Sequence, residues 1–312
     1  MKILQVSAND HKMWQKRRGK SLFFWHRFSL ENPRQKGYTM PIYKKEASNM
    51  RIDFHTHCFP DAIAPKAIAK LSYASGGLHP YTDGTVAGLR RSMAEGEVDL
   101  SVVMHIATNT GQQQKVNDFA ASIHNGRDIV SFGSVHPDAP DALEELERIK
   151  ALGLPGVKLH PDYQGFRVDE ERMKPIYKKI SSLGLITLFH AGYDYGFPPP
   201  YGGMPQAMAT ALRWFDSPVI AAHWGGVNCA EEVLRHLCGT DIYFDTAFGY
   251  SMLPKYYAEK ILETHGTKRV LFGTDTPWHT PAMEMRLLDT LPLTESERED
   301  ICAGNAKRLL GL

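Results

Sequence analysis

The chain has 312 residues, 36 Lys/Arg against 35 Asp/Glu and 43% hydrophobic residues, the composition of a soluble globular protein with enough apolar side chains for one large domain or two ordinary ones. No run approaches the roughly 18 to 20 apolar residues of a membrane helix. The four cysteines, at 58, 229, 238 and 302, form neither a CxxC pair nor a disulfide framework, which fits a reducing, cytoplasmic setting.

Charge is uneven. Residues 1–49 carry 11 Lys/Arg against 3 Asp/Glu, and the rest of the chain 25 against 32. The head has no sustained helical or strand period, and its apolar patch "SLFFW" is too short for a secretory signal and is followed by His26 and Arg27. Three readings of residues 1–49 stand side by side: a basic arm for nucleic acid or an anionic surface, a poorly ordered extension or oligomerisation arm, and an over-extended start with translation beginning at Met50. The last is favoured. It leaves 263 residues, close to the ~250 typical of an eight-stranded α/β barrel.

From residue 51 the pattern is strand, loop, helix, repeated. Buried parallel strands read as short continuous apolar runs rich in β-branched residues. Eight occur: "RIDF" 51–54, "LSVVMHIA" 100–107, "IVSFGSV" 129–135, "GVKLH" 156–160, "LITLFH" 185–190, "VIAAH" 219–223, "DIYFD" 241–245 and "RVLFG" 269–273. Helical periods fall at 139–153, with Leu143, Leu146 and Ile149 on one side, and at 169–184, 229–239 and 254–266. The terminal "TESEREDICAGNAKRLLGL" opens with a capping signal. Eight strand–helix units predict a (β/α)8 TIM barrel over 50–312. A doubly wound open sheet is the alternative, but its first turn is usually Gly-rich, and here it reads HTHCFP. The long loop 191–205, rich in Gly, Pro and Tyr, should lie over the barrel mouth.

Working residues of such barrels sit at the C-terminal ends of strands. Those ends carry His55 and His57, His136, Lys158 and His160, His190, His223, Asp245, and Asp275 just after the eighth strand. In a strand, residues i and i+2 share a face, so His55 and His57 point at one spot. A single histidine there is usually a packed core group. Metal-binding or proton-moving residues at most of the strand ends are not explained by packing.

The ordered set "IDFHTH" 52–57, "KLHPDYQGF" 158–166, "LFHAG" 188–192, "AAHWGG" 221–226, "LFGTDTPW" 271–278 and "NAKRLLGL" 305–312 resembles the amidohydrolase superfamily. The similarity is to the branch of aminocarboxymuconate-semialdehyde decarboxylase and uncharacterised TIM-barrel metal-dependent hydrolases, and it covers roughly 51–312. The resemblance implies one divalent ion, zinc before manganese, held by His55, His57, His190 and Asp275, with His223 as the catalytic base and Asp275 sharing in proton transfer. Such an ion lowers the pKa of its water toward ~7 and supplies hydroxide at neutral pH. In two-metal relatives a lysine at the end of strand 4 becomes a carbamate, so a second ion on a carbamylated Lys158 stays open as an alternative. Lys158, His160, His136 and Arg167 are expected at the substrate. Trp224, Tyr163, Tyr193 and Trp278 are candidates for an aromatic pocket, Asp245 for fixing a neighbour, and Cys58 for a small loop residue.

The ligand set serves hydrolysis and non-oxidative decarboxylation alike. Decarboxylases of this branch usually add arginines that hold substrate carboxylates, and no arginine stands at a strand end. The expectation is therefore a metal-dependent hydrolase of a small ester, lactone or amide. The alternative is a carboxy-lyase acting on a small unsaturated or aromatic acid. Deoxyribonuclease-like and histidinol-phosphatase-like barrels fit less well. A non-catalytic binding protein with a nucleic-acid-binding arm is the remote alternative. The expected partners are a small-molecule substrate and, as relatives often are, a second copy in a homodimer, with no membrane, and nucleic acid enters only under that remote alternative.

Overall fold

The computed structural model describes residues 50–312. The basic segment ahead of Met50 lies outside the described residues. Eight parallel strands follow in chain order: β1 (Ile52–Thr56), β2 (Leu100–Met104), β3 (Ile129–Phe132), β4 (Gly156–Leu159), β5 (Ile186–Phe189), β6 (Val219–Ala221), β7 (Tyr243–Asp245) and β8 (Val270–Leu271). Each pairs with its successor within β1–β3 and within β4–β8. Two seams join these runs into a ring. At one, Gly133 bridges Val157, and the Lys158 N–H donates to the Gly133 carbonyl at 2.8 Å. At the other, Thr56 bridges Thr276, and the Phe54 N–H donates to the Phe272 carbonyl at 2.7 Å. The chain is a (β/α)8 barrel.

Strand alternation sorts the apolar residues into two layers. Ile52 and Phe54, Leu100, Val102 and Met104, Val130 and Phe132, Ile186 and Leu188, Ile220 and Leu271 meet in one cluster with Ala303 and Ala306. That cluster is the barrel interior, closed from below by the C-terminal helical segment. Residues of the opposite parity, such as Val103, Val157, Leu159, Phe189 and Phe244, join the helices in the outer layer.

The helices follow their sequence signals with local departures. Lys174–Ser182 buries Ile176, Tyr177 and Ile180, and Gly184 takes φ +63° in the turn after it, where a side chain would be strained. Ala142–Ala151 buries Ala142, Glu145, Leu146 and Ile149. Leu143, expected on that face, is exposed. Glu145 takes its place, since Asn117 and Arg148 both bond its carboxylate. Thr294 caps Glu295–Glu299 with a full capping box to Glu297, as "TESE" predicts. The expected terminal helix is interrupted by a π turn over Asp300–Gly304 before Asn305–Leu310. Six further helices lie in the remaining crossovers, Ala64–Ala74, Val86–Glu95, Gln113–Ile123, Pro205–Leu212, Ala230–His236 and Lys255–His265, and Pro281–Leu288 follows β8. No helix among the described residues is long and apolar enough to cross a membrane, and all four cysteines are free thiols.

Candidate metal centre

The register of β1 against β2 sets the site. Ile52 and Asp53 face Leu100 and Ser101, but Thr56 faces Val103, so β1 spends one extra residue there. Such a bulge re-aims side chains at a barrel rim. Above it, His55 and His57 converge on Asp275: His57 Nε2 lies 2.9 Å from Asp275 Oδ1, and His55 Nε2 lies 3.3 Å from the same oxygen. Asp275 is held there by its N–H, which donates to the His55 carbonyl at 2.7 Å. It has φ +65°, and His223 has φ +61°. Left-handed backbone at residues other than glycine costs roughly 1–3 kcal/mol each and concentrates at working sites.

The hydrogen bonds on the far side of each ring fix the tautomers. His57 Nδ1 faces the Met104 carbonyl at 2.8 Å and must donate to it. His55 Nδ1 faces Asp245 Oδ2 at 2.8 Å and does likewise. Both Nε2 atoms are then lone pairs aimed at a carboxylate oxygen. Three acceptors meeting at one point repel one another unless a cation lies among them, and backing a ligating imidazole with a carboxylate or carbonyl is the usual outer support of a metal site. His55, His57 and Asp275 therefore fit a divalent ion, and three protein ligands leave a position for water or substrate. Burial, then the nearby Lys158, lowers the His55 pKa well below the ordinary value, which keeps the ring neutral and able to ligate.

His190, the fourth expected ligand, stands apart from this group. Its Nε2 faces the Tyr193 carbonyl at 3.3 Å and its Nδ1 faces His223 Nε2 at 3.1 Å. It stacks on His160 at 4.2 Å between centroids and clusters with His160 and Asp194. The long loop after β5 causes this, because Tyr193 and Asp194 supply the partners. The same bonds set the tautomer of His223. With His190 donating to Tyr193, His223 donates through Nε2, and its buried Nδ1 is left with no hydrogen-bond partner. That lone pair is a base, and burial lowers the His223 pKa well below the ordinary value.

Asp245 is buried and ties the strands together. Its Oδ1 accepts the N–H groups of His223 at 2.8 Å and Ala247 at 3.1 Å, and burial raises its pKa to about 6. Lys158 is buried too, its Nζ 3.3 Å from His55 Nε2, and burial lowers its pKa to about 8. His160 Nε2 lies 3.2 Å from Asp194 Oδ2, and Tyr163 packs edge-on against the His160 ring.

Other expected residues have partners of their own. Arg167 is exposed and pairs with Asp169. Gly165, at φ +67°, ends the short turn Pro161–Gln164, and among the described residues the exposed Arg167 that follows it shares no hydrogen bond or ion pair with the imidazole cluster. His136 accepts the Asp138 N–H through Nδ1 and, among the described residues, shares no hydrogen bond or ring contact with the imidazole cluster. Trp224 is buried, its indole N–H donates to the Thr246 carbonyl at 3.0 Å, and it lines a small pocket together with His223 and Phe248. Trp278 packs with Ile68 and Phe248, while Tyr193 stacks on Tyr201. Burial pushes the Cys58 thiol up to about 12, so it is inert at neutral pH.

Sequence reasoning missed three participants. Asp53, in "IDFHTH", accepts the Thr274 N–H and hydroxyl and so locks β1 to the segment that carries Asp275. Asp194 carried no local signal beyond its place in a long loop. His105 lies just past the end of β2, with its ring edge-on to Phe119 and a buried Nε2 that has no partner.

An eight-stranded barrel with histidines and aspartates converging at the C-terminal mouth defines a metal-dependent enzyme class, and the comparisons name it. The amidohydrolase family model matches residues 52–312, and the protein belongs to that family. The 2-amino-3-carboxymuconate-6-semialdehyde decarboxylase of Dictyostelium discoideum is 25% identical over 239 residues; the match covers 64% of this chain and 66% of that relative, just under two thirds of its length. An uncharacterised TIM-barrel protein from Bordetella bronchiseptica superposes with a TM-score of 0.67 at 19% identity, over 84% of this chain and 98% of that one. A dihydroxybenzoic acid decarboxylase from Polaromonas sp. JS666, with bound manganese and the inhibitor 2-nitroresorcinol, gives a TM-score of 0.61 at 17% identity, over 85% and 97%. At such identities the two structures speak for the fold.

Proposed function

We propose that this protein is a metal-dependent non-oxidative decarboxylase of a small unsaturated or aromatic acid, the reading that sequence alone places second to hydrolysis. The observation that carries it is Lys158, a cation buried beside His55. It meets the need for a carboxylate-holding group that no strand-end arginine supplies. The decarboxylase relative from Dictyostelium supports the same choice.

His55, His57 and Asp275 would hold the ion, and the His223 ring lies beside them, 5.0 Å from the His55 ring between centroids. When bound, the ion polarises a substrate oxygen as a Lewis acid. Lys158 is mostly protonated at neutral pH, given a pKa of about 8, and attracts the substrate carboxylate. His223 Nδ1 accepts a proton from a substrate hydroxyl or a water and returns it to the carbon that carbon dioxide leaves. Its lowered pKa favours that return. Tyr163 packs edge-on against His160.

The test sets carbon dioxide release from a panel of small unsaturated and aromatic acids beside cleavage of lactones, esters and amides, using protein loaded with zinc or manganese. Metal-dependent carbon dioxide release is expected. Cleavage in the second panel with none in the first would overturn the reading in favour of hydrolysis.

A further inference from the structure

Outside the histidine cluster, the loops after β7 and β8 bring together a second constellation. Ser251, an exposed residue of the short helix Gly249–Met252, has its Oγ 2.8 Å from His279 Nε2. His279 is buried, and its Nδ1 is hydrogen-bonded to Oε1 of Glu284, which is fully buried. The other Glu284 oxygen accepts the Tyr250 N–H at 3.1 Å. The Thr276 hydroxyl donates to the His279 carbonyl at 3.0 Å, and Phe248 stacks on the imidazole at 4.3 Å between centroids. The ring is thus fixed in place and in tautomer. Nδ1 carries the proton that the carboxylate accepts, and Nε2 presents a lone pair to the serine hydroxyl. A hydroxyl, an imidazole and a carboxylate in this order are the working parts of nucleophilic acyl transfer, whatever fold carries them.

We propose that Ser251, His279 and Glu284 form a second, metal-independent site that accepts acyl groups from small activated esters. Ser251 Oγ attacks the ester carbonyl, a carbon–oxygen bond forms to the serine, and its proton passes to His279 Nε2. The ester carbon–oxygen bond breaks, and the leaving alcohol takes that proton. Water attacks the acyl-serine by the same route and releases the acid. Glu284 orients the ring and balances its charge. Phe248 and Met252 belong to a small, largely buried apolar cluster with Ile68 and Trp278, so only short apolar acyl or aryl groups held at the exposed serine would meet it. The site uses none of the residues assigned to the metal.

The distinguishing property is reactivity. A serine that only braces a histidine reacts no faster than other exposed serines. Full-length, metal-loaded protein is treated with a fluorophosphonate probe and mapped by mass spectrometry. A phosphorus–oxygen bond should form at Ser251 Oγ as the phosphorus–fluorine bond breaks, with the hydroxyl proton passing to His279 and fluoride leaving. One label per chain is expected, absent in Ser251→Ala and at least about ten-fold slower in His279→Gln and Glu284→Gln. Since His279 and Glu284 are buried and their replacement perturbs the loops, Ser251→Cys provides the second measurement. Its alkylation by iodoacetamide should titrate well below the ~8.5 of an ordinary thiol, because an adjacent imidazole stabilises the thiolate. A wild type unlabelled at Ser251, or a Ser251→Cys thiol that titrates at the ordinary value, overturns the proposal. Either result leaves the decarboxylase reading unaffected, because that reading rests on the metal centre.

Discussion

His55 Nδ1 stands 2.8 Å from Asp245 Oδ2, and the other oxygen of that carboxylate accepts the His223 N–H at 2.8 Å. One buried side chain from β7 thus sets the tautomer of a β1 ligand and the seat of the β6 base. It does so across the barrel, where no sequence spacing connects them.

Asp245→Asn is expected to weaken metal binding by about 10–100-fold, the usual effect of losing an outer partner of a ligating histidine. An amide nitrogen facing His55 Nδ1 would reverse the tautomer, and the proton would then sit on the ligating Nε2. Competition with a chelator of known affinity reads this directly. Unchanged affinity would show that the ligand at position 55 needs no support from Asp245.

His55→Ala should remove most bound metal and essentially all activity, since it deletes one of three converging donors. Elemental analysis and a thermal melt with and without added ion check it. Wild type gains stability from ligand binding by mass action, about 2.7 kcal/mol when free metal is 100 times its dissociation constant, and the variant should gain none. Full metal content with normal turnover would falsify the assignment of the opening motif.

The strands were legible because buried parallel strands are written as apolar runs, and each observed strand falls within or against its predicted one. The ends differ: β1 runs to Thr56, past the predicted 54, whereas β8 keeps only Val270 and Leu271 of the predicted 269–273, because the Phe272 N–H donates to the Ile301 carbonyl and the Gly273 N–H to the Thr246 hydroxyl. The helices Ala64–Ala74, Val86–Glu95 and Gln113–Ile123 escaped individual recognition. Each buries only two to four residues, and the apolar stripe is correspondingly faint. At the site, residues on strand ends were readable because the barrel aims strand ends inward. Asp194, and the Ser251–His279–Glu284 set, were not, since loops bring them together and no period encodes a loop's path. Arg167, expected at the substrate, follows the left-handed turn at Gly165 and is exposed, paired with Asp169.

Lys158 gives a pH test. The unfolded chain holds its proton up to ~10.4, whereas burial lowers the folded value to about 8. Between these values the unfolded state binds more protons, so the stability of the wild type rises with pH there, and the penalty of the buried charge is complete below about 8. Lys158→Met removes that penalty. The stability of the wild type relative to the variant should climb by about 1 kcal/mol per pH unit from about pH 8 to about pH 10. Urea denaturation of chelator-treated wild type and variant across that range measures it. A difference independent of pH would mean that the ammonium is not desolvated in the barrel. Below about pH 8, the same variant tests the carboxylate-holding role, with a raised KM for the acid as the expected outcome.

His223 separates two site chemistries, because its buried Nδ1 is free and its Nε2 is committed to His190. As the proton carrier of a one-metal site, His223→Asn should keep about one metal per chain and lose roughly 10²–10⁴ in rate, the usual worth of positioned acid–base catalysis. Asparagine retains the size and one hydrogen bond but cannot accept a proton at neutral pH. If His223 instead ligates a second ion beside a carbamylated Lys158, the wild type should hold about two metals and the variant fewer, and bicarbonate should aid reconstitution of the wild-type apoprotein. Lys158 Nζ lies 3.3 Å from His55 Nε2, so a carbamate on it would reach the same ligand set, and the metal content of the wild type decides between the two outcomes. A one-metal parent whose His223→Asn variant turns over at the wild-type rate would remove His223 from the chemistry and leave it a packing partner of His190.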